Sequence, residues 1–331
     1  MLELTRFLMS TKTEFSHSQG PDNLAAVIVT LHPELEFKNR MVGMLGQVPT
    51  IVIVDNGTSG PAMEMLREIA REERISLIEN KRNLGLAAAH NLGLQSLIER
   101  GFTWALTLDQ DSEPAEDMVK QLCASYDNSV EKEKIAIIAP RIIDQGVERE
   151  ALFLRRKNMW IYERVSCEED DLENISTAIT SGALINLHSF NALGGFREDF
   201  FIDYVDTDFC LRANLHGYQI IASCQARLMH QFGARQKVRK GIITLYPSFH
   251  SPERWYTIYR NRIPMLKKYA LKFPHWMFYE IVAMFYTFTR MLLTEDQKIA
   301  KLMAIIKGTW DGITGKLGPP AWASGPLESR N

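Results

Sequence analysis

The feature that most constrains this chain is an alternation. Short apolar runs at 24–31, 50–54, 75–78 and 104–108 are separated by stretches with helical spacing at about 34–47, 61–73 and 83–100. Apolar runs of four to eight residues between turn signals read as buried strands. Strands that alternate with helices of this length build βαβ units, and so an α/β fold with a mostly parallel sheet flanked by helices. Ligands of such sheets bind beyond the carboxyl ends of the strands. Polar clusters stand at those ends here: Asp55-Asn56-Gly57 after the second run, Asn83-Leu84-Gly85 after the third, and Asp109-Gln110-Asp111 after the fourth.

The last cluster carries the most chemistry. Side chains two apart on a strand share a face, so Asp109 and Asp111 aim at one point. Two hard oxygen donors suit Mg²⁺ or Mn²⁺, with other ligands left to a diphosphate and water. The competing reading is an Asx-type turn with solvated acids.

Further along, 135–139 reads as another strand. Residues 144–177 are charged and poorly periodic, which predicts a long loop or lid. Residues 178–185 read as a strand with Gly182 at a bend or close approach. Gly194-Gly195 breaks the chain before an acidic segment, 201–212. A short last strand is expected at 219–223, with His230 a few residues beyond. From Pro252 the chain becomes aromatic and basic. Its uncharged run at 281–289 is well short of the ~20 residues that span a bilayer. A helix there either lies in a membrane interface or packs on the core. The organisation expected is a leader at 1–22, an α/β domain at 23–250, a helical, membrane-proximal extension at 251–316 and a flexible tail at 317–331, rich in Gly, Pro and Ser.

Composition narrows the classes. A net charge of −2 argues against a nucleic-acid partner held through phosphates. Residues 254–316 carry eleven Lys+Arg against four Asp+Glu, a balance of +7, while 317–331 sum to zero, so 1–253 carries −9. A basic segment on an acidic body predicts an anionic surface as neighbour. The four cysteines, Cys123, Cys167, Cys210 and Cys224, form no C-x-x-C pair and predict reduced thiols in a cytoplasm. The first 23 residues lack the apolar core of a signal peptide. No G-x-G-x-x-G follows the first strand and no P-loop motif occurs, which weakens nucleotide-oxidoreductase and P-loop readings. A dehalogenase-type phosphatase places Thr or Val two residues past the second Asp; here Glu113 stands there. A sugar-nucleotidyltransferase opens with a Gly-rich, Arg-containing turn; here Thr30-Leu31-His32-Pro33 follows the first strand.

The order of the clusters is more specific than any one of them. Asp55-Asn56, then Asn83-x-Gly85, Asp109-x-Asp111, Asp203 to Arg212 and His230 resembles the family 2 glycosyltransferases of the GT-A fold. Within them, 106–112 (LTLDQDS) and 201–208 (FIDYVDTD) resemble the bacterial rhamnosyltransferase branch, and the resemblance covers about 24–265.

That resemblance implies roles. Thr30, Asp55, Asn56, Arg82, Asn83, Gly85 and Asp109 would hold a nucleotide-sugar, with Arg82 towards the diphosphate. Helix capping is the alternative for Asp55, and a helix-opening turn for Asn83 and Gly85. Ser181 and Gly182 would belong to the same site and, with Ala183, line its acceptor side. Asp111 would bind the metal, joined by Asp109 and His230. The family's Glu-Asp-x-Asp pattern stands here as Val205-Asp206-Thr207-Asp208. Asp206 then aligns with the general base, Asp203 is its rival, and Asp208 is expected to pair with Arg212. Trp255, Tyr256, Arg260 and Asn261 would meet the acceptor or a diphosphate; a packed surface helix is the alternative. The implied enzyme is inverting and Mg²⁺- or Mn²⁺-dependent. It would use dTDP-L-rhamnose, or a UDP-hexose, and a lipid-linked glycan acceptor at the cytoplasmic face of a bacterial inner membrane. A non-catalytic sugar-nucleotide-binding module is the other class left open.

Overall fold

The computed structural model describes residues 21, 23–147, 149–230, 237–240 and 243–323. The expected leader therefore lies almost wholly outside the described residues. The alternation reads true: β1 (Leu24–Thr30), β2 (Ile51–Asp55), β3 (Ile75–Glu79) and β4 (Trp104–Asp109) are separated by α1 (Phe37–Leu45), α2 (Pro61–Ile69) and α3 (Leu86–Glu99). After β4 come β5 (Glu113–Pro114), α4 (Met118–Asn128), β6 (Ile135–Asp144) and β7 (Arg149–Glu150). Three short strands follow: β8 (Phe153–Arg156), β9 (Tyr162–Val165) and β10 (Ile175–Thr177). The domain closes with β11 (Leu184–Asn186), α5 (Leu187–Ala192), α6 (Val205–Leu215) and β12 (Gln219–His230).

Among the described residues the main sheet runs β3-β2-β1-β4-β11-β6-β12-β5, with β7 on β6. β1, β2, β3 and β4 pair in parallel, as do β6 and β12, whereas β11 runs antiparallel to both β4 and β6. From β1 the chain first builds outward through β2 and β3, then returns to the other side of β1 as β4. That reversal is a switch point, where a crevice opens beyond the strand ends. The strands are apolar on both sides because both faces are covered. Ala25, Val27 and Val29 face one core with α3 and α6; Leu24, Ala26 and Ile28 face the other with α1, α2 and α4.

Four expectations change. Residues 144–177 are not a structureless loop: β8, β9 and β10 form a separate antiparallel sheet. A disulfide joins Cys167, past β9, to Cys224 in β12, so two of the four cysteines are not free thiols. Cys123 and Cys210 are free and buried. Of the expected 178–185 strand only Leu184 and Ile185 pair in the sheet, at the start of β11; the residues before them form a turn. The last strand is longer than read, and His230 is its final residue.

The C-terminal part is helical as expected: α7 (Pro252–Tyr269), α8 (Pro274–Thr294) and α9 (Lys298–Ile313). Ser251 caps α7, its Oγ accepting from Arg254 N–H. α9 lies hard against α7. A Cβ at Gly308 would stand 2.4 Å from Tyr256 O, and one at Gly312 would stand 2.4 Å from Arg260 O, so only glycine admits this approach. Met265, Tyr269 and Trp276 of α7 and α8 join the core of the α/β domain. At the start of the expected tail, Gly318 N donates to Asp199 O at 2.6 Å. Residues 324–331 lie outside the described residues.

Candidate active site

A cleft of about 630 Å³ opens at the switch point, a size suited to a small ligand. Its floor is the carboxyl ends of β1 and β4: Val29, Thr30, Leu31, Asp109, Gln110 and Asp111. Gln110, which sequence reasoning passed over, closes this floor. Its Oε1 accepts from Leu31 N–H at 2.8 Å and its Nε2 donates to Leu31 O at 3.2 Å. β4 ends at Asp109, so Gln110 and Asp111 stand in the turn that follows it. Asp109, Asp111 and His230 bring their ligand atoms within 4.8 Å of one another. His230 Nε2 is 3.9 Å from Asp109 Oδ2, and Nδ1 is 3.7 Å from Asp111 Oδ1. Two carboxylates and an imidazole are a donor set that fits Mn²⁺ or Mg²⁺. Burial pushes the Asp109 carboxyl above its usual range; His230 opposes this and Asp111 adds to it. Ser181 braces the cluster, its Oγ 2.6 Å from Ser112 Oγ and accepting from Asp109 N–H at 3.4 Å.

Asp55 is fully buried and does not reach the cleft. Its Oδ1 accepts from the Thr30 hydroxyl at 3.0 Å and from the Thr58 hydroxyl, and its Oδ2 accepts from Gly57 N–H and Thr58 N–H. With both oxygens used twice, it shapes the turn after β2; it does not cap α2, whose N-cap is Gly60. Asn56 does line the cleft, and knots it to the β3–α3 loop. Its Nδ2 donates to Asn83 Oδ1 at 2.9 Å and to Gly85 O at 3.2 Å, and its Oδ1 accepts from Leu84 N–H. Gly85 has φ 90°, and a Cβ there would lie 2.5 Å from the Phe201 ring, so its smallness admits Phe201 to the cleft wall. Arg82 is exposed and is not among the residues lining the cleft. Gly182, at φ 78°, would drive a Cβ to 2.7 Å from Pro140, so its role is to let the 180–183 turn fold down.

The far wall is the 200–204 segment, where the backbone is strained. Phe201, Asp203 and Tyr204 all have positive φ, between 62° and 65°. Such strain persists only where neighbours impose it, and it gathers at functional sites. The neighbour is α7. Asn261 Nδ2 donates to Phe200 O at 2.9 Å, Ile202 O at 2.7 Å and Asp203 O at 3.1 Å, and Arg260 donates to Phe200 O at 2.9 Å. Arg260 and Asn261 are therefore buried supports, not the acceptor or diphosphate contacts expected. Trp255 is likewise buried, in a cluster with Tyr259, Met291 and Ile305, and Tyr256 hands its hydroxyl to Asp311 at 2.9 Å. α7 turns a different residue to the cleft: Arg254, beside His250 and Ser248. Burial, then Arg254, holds the His250 imidazole neutral, its pKa down to about 4. The signal for Arg254 lay in the same basic run, one residue before Trp255.

The acids of 203–208 separate into three environments. Asp203 is committed: Oδ1 lies 2.7 Å from Arg254 Nε and Oδ2 accepts from the Thr257 hydroxyl at 2.6 Å. Asp208 is fully buried, paired with Arg212 at 2.6 Å as expected, and also takes Lys268 at 3.1 Å and Tyr269 at 2.8 Å. Asp206 is different. It borders an apolar recess with Ile137, Ala183, Phe196 and Phe209. Burial pushes its carboxyl up to about 6; the Thr207 N–H, donating at 2.7 Å, opposes this, and Asp203 adds to it. A carboxylate of that pKa is suited to general-base work near neutrality.

Comparison with known proteins gives the family and the fold. Residues 37–194 match the model of "Glycosyl transferase family 2". The chain is 30% identical over 298 residues to dTDP-rhamnosyl transferase RfbF of Shigella flexneri, covering 89% of this chain and 97% of RfbF. It is 24% identical over 311 residues to the low-salt glycan biosynthesis hexosyltransferase Agl10 of Haloferax volcanii, covering 90% and 94%. Among solved structures, S. aureus TarS 1–349 in complex with UDP-GlcNAc superposes with a TM-score of 0.54 at 14% identity, covering 88% of this chain and 81% of that one. GalNAc-T7 with UDP, GalNAc and Mn²⁺ superposes with a TM-score of 0.57 at 15% identity, covering 76% of this chain and 48% of that one. The shared architecture is the GT-A fold that the motif order implied, and the chain belongs to the family 2 glycosyltransferases.

Proposed function

We propose that this enzyme transfers L-rhamnose from dTDP-L-rhamnose, with inversion and with Mg²⁺ or Mn²⁺, to a lipid-linked glycan in bacterial surface polysaccharide assembly. The convergence of Asp109, Asp111 and His230 on the cleft at the switch point carries the reading. The likeness to a dTDP-rhamnosyl transferase over nearly its whole length supports the donor. The chain's basic C-terminal segment supports a cytoplasmic enzyme working at the inner face of the membrane.

In this mechanism the nucleotide lies along Thr30, Asn56, Asn83 and Gly85. Asp111, with Asp109 and His230, would hold the cation. When bound, that cation supplies charge neutralisation for the departing dTDP. Arg254 faces the same cleft and adds a fixed positive charge. Asp206 accepts the proton of the acceptor hydroxyl as its oxygen bonds to the anomeric carbon and the bond to dTDP breaks. A single displacement of this kind needs one base. Asp203, already paired, orients Arg254 and the 200–204 wall.

A ligand that binds only the folded protein raises its melting temperature. Thermal shifts with a panel of nucleotide-sugars, each with and without Mn²⁺, should show a metal-dependent rise with dTDP-rhamnose that Asp111→Ala abolishes. A rise confined to UDP-sugars would move the donor to a UDP-hexose. The non-catalytic module would be favoured by donor binding with no transfer to any lipid-linked acceptor.

A further inference from the structure

Two helices and a hairpin leave a large apolar face uncovered. α8 is 21 residues long, and its two charged residues, Glu280 and Arg290, are both buried. Glu280 pairs inward with Arg262 at 2.8 Å, and Arg290 donates to Tyr246 O at 2.7 Å. The outer face of α8 is thus without charge, and it presents Phe278, Val282 and Phe285 at helical spacing. α9 does the same with Met303, Ile306 and Trp310, each more than 60% exposed. The third piece comes from a distant part of the sequence. The turn between β8 and β9 exposes Met159, Trp160 and Ile161. This hairpin leans on the start of α8, since the Tyr162 ring packs edge-on against His275 at 4.7 Å and against Tyr279 at 5.9 Å.

Exposed apolar patches of this extent mark an interaction surface. The charges at its border identify the partner. Lys157 stands on the hairpin turn, Lys272 just before α8, and Lys298 and Lys307 on α9, all exposed; Asp296, in the turn between the helices, is the one exposed acid among these segments. Protein–protein interfaces are depleted in lysine. Aromatic and aliphatic side chains fringed by lysines are instead what an anionic bilayer surface selects. No described helix is long and apolar enough to cross a membrane. We infer that the β8–β9 turn, α8 and α9 form one surface that seats on an anionic bilayer, lying on it without spanning it. This deepens the membrane-side reading above: it names a contact made of three elements, one of them outside the C-terminal helices, where that reading supplied only charge.

The test uses the full chain in sedimentation with vesicles of phosphatidylcholine containing about one quarter phosphatidylglycerol. Wild type should bind these, bind neutral phosphatidylcholine vesicles far less, and release as salt rises. Trp160→Ser and Phe285→Ser should each weaken binding by about tenfold, the worth of one buried aromatic, and the pair by more. Circular dichroism and unchanged melting show that the variants fold. Binding that survives both substitutions, or a wild type indifferent to anionic vesicles, overturns the inference. So does sedimentation velocity that finds a wild-type dimer dissociated by Phe285→Ser, because the face then belongs to a second copy. Donor-dependent transfer to a soluble acceptor is read in parallel. If it persists while vesicle binding fails, the surface is wrong and the enzymatic reading stands; the reverse result separates them the other way.

Discussion

At the scale of single residues, the sequence showed which side chains gather but not what each one faces. Asp55 and Asp109 both end strands beside β1, and nothing in their local sequence separates them. The difference is Thr58 and Gly57, which return to saturate Asp55, while Asp109 keeps its carboxylate beside His230. Asp206 and Asp208 stand two apart on one helix and look equivalent. Tertiary partners from α7 claim Asp208, whereas Asp206 borders an apolar recess. His90 is a case the sequence hid altogether. It sits in the core of α3 against Phe196, and among the described residues neither ring nitrogen has a hydrogen-bond partner. Burial alone lowers its pKa to about 4. The unfolded chain protonates near 6.5, so stability is whole above that pH and is lost as the pH falls from 6.5 towards 4. The loss amounts to about 3 kcal/mol once both limits are passed. Denaturant unfolding across this range should show that slope in wild type and a flatter one in His90→Leu; parallel slopes would remove His90 from the account.

At the scale of elements, the periodic parts were legible and the supports were not. Strands β1 to β4 and the helices between them follow from period and turn residues, because their side chains obey local geometry. The insertion at 144–177 reads as a loop because its strands are only two to four residues long and are held by tertiary contacts, including the Cys167–Cys224 link. The aromatic-basic run on α7 suggests a ligand contact because such residues often meet sugars and phosphates. Its orientation depends on α9, whose Gly308 and Gly312 let it close on α7 and turn Arg260 and Asn261 inward. Asn261 then fixes the strained 200–204 wall. Asn261→Ala leaves the carbonyls of Phe200, Ile202 and Asp203 without this donor. It should destabilise the protein by roughly 1–3 kcal/mol. Its kcat should fall more than its donor affinity changes, since the wall carries Asp203 and leads into Asp206. Equilibrium unfolding together with donor titration checks both; a loss of donor binding as large as the loss of kcat would place Asn261 in the donor site itself.

At the scale of the whole molecule, one sheet reversal creates the site. The polar ends of β1 and β4 become its floor, the end of β12 brings His230 over the aspartates, and α7 closes the far wall. The alternation shows that such a sheet exists and the charge count that the C-terminal part of the chain is basic, but the meeting of segments 30, 110, 230 and 254 is a property of the closed fold. The central claim is that this fold performs a single displacement with Asp206 as base. The most direct measurement is rhamnosyl transfer from dTDP-rhamnose to a lipid-linked acceptor, followed across pH in wild type and in Asp206→Asn. The wild-type rate should fall below about pH 6 as Asp206 takes up its proton. Asp206→Asn should lose roughly 10²–10⁴-fold in kcat and with it the acid limb, while still showing the metal-dependent thermal shift with donor. A variant that turns over at the wild-type rate, or keeps the same acid limb, would contradict the assignment and move the base to another group.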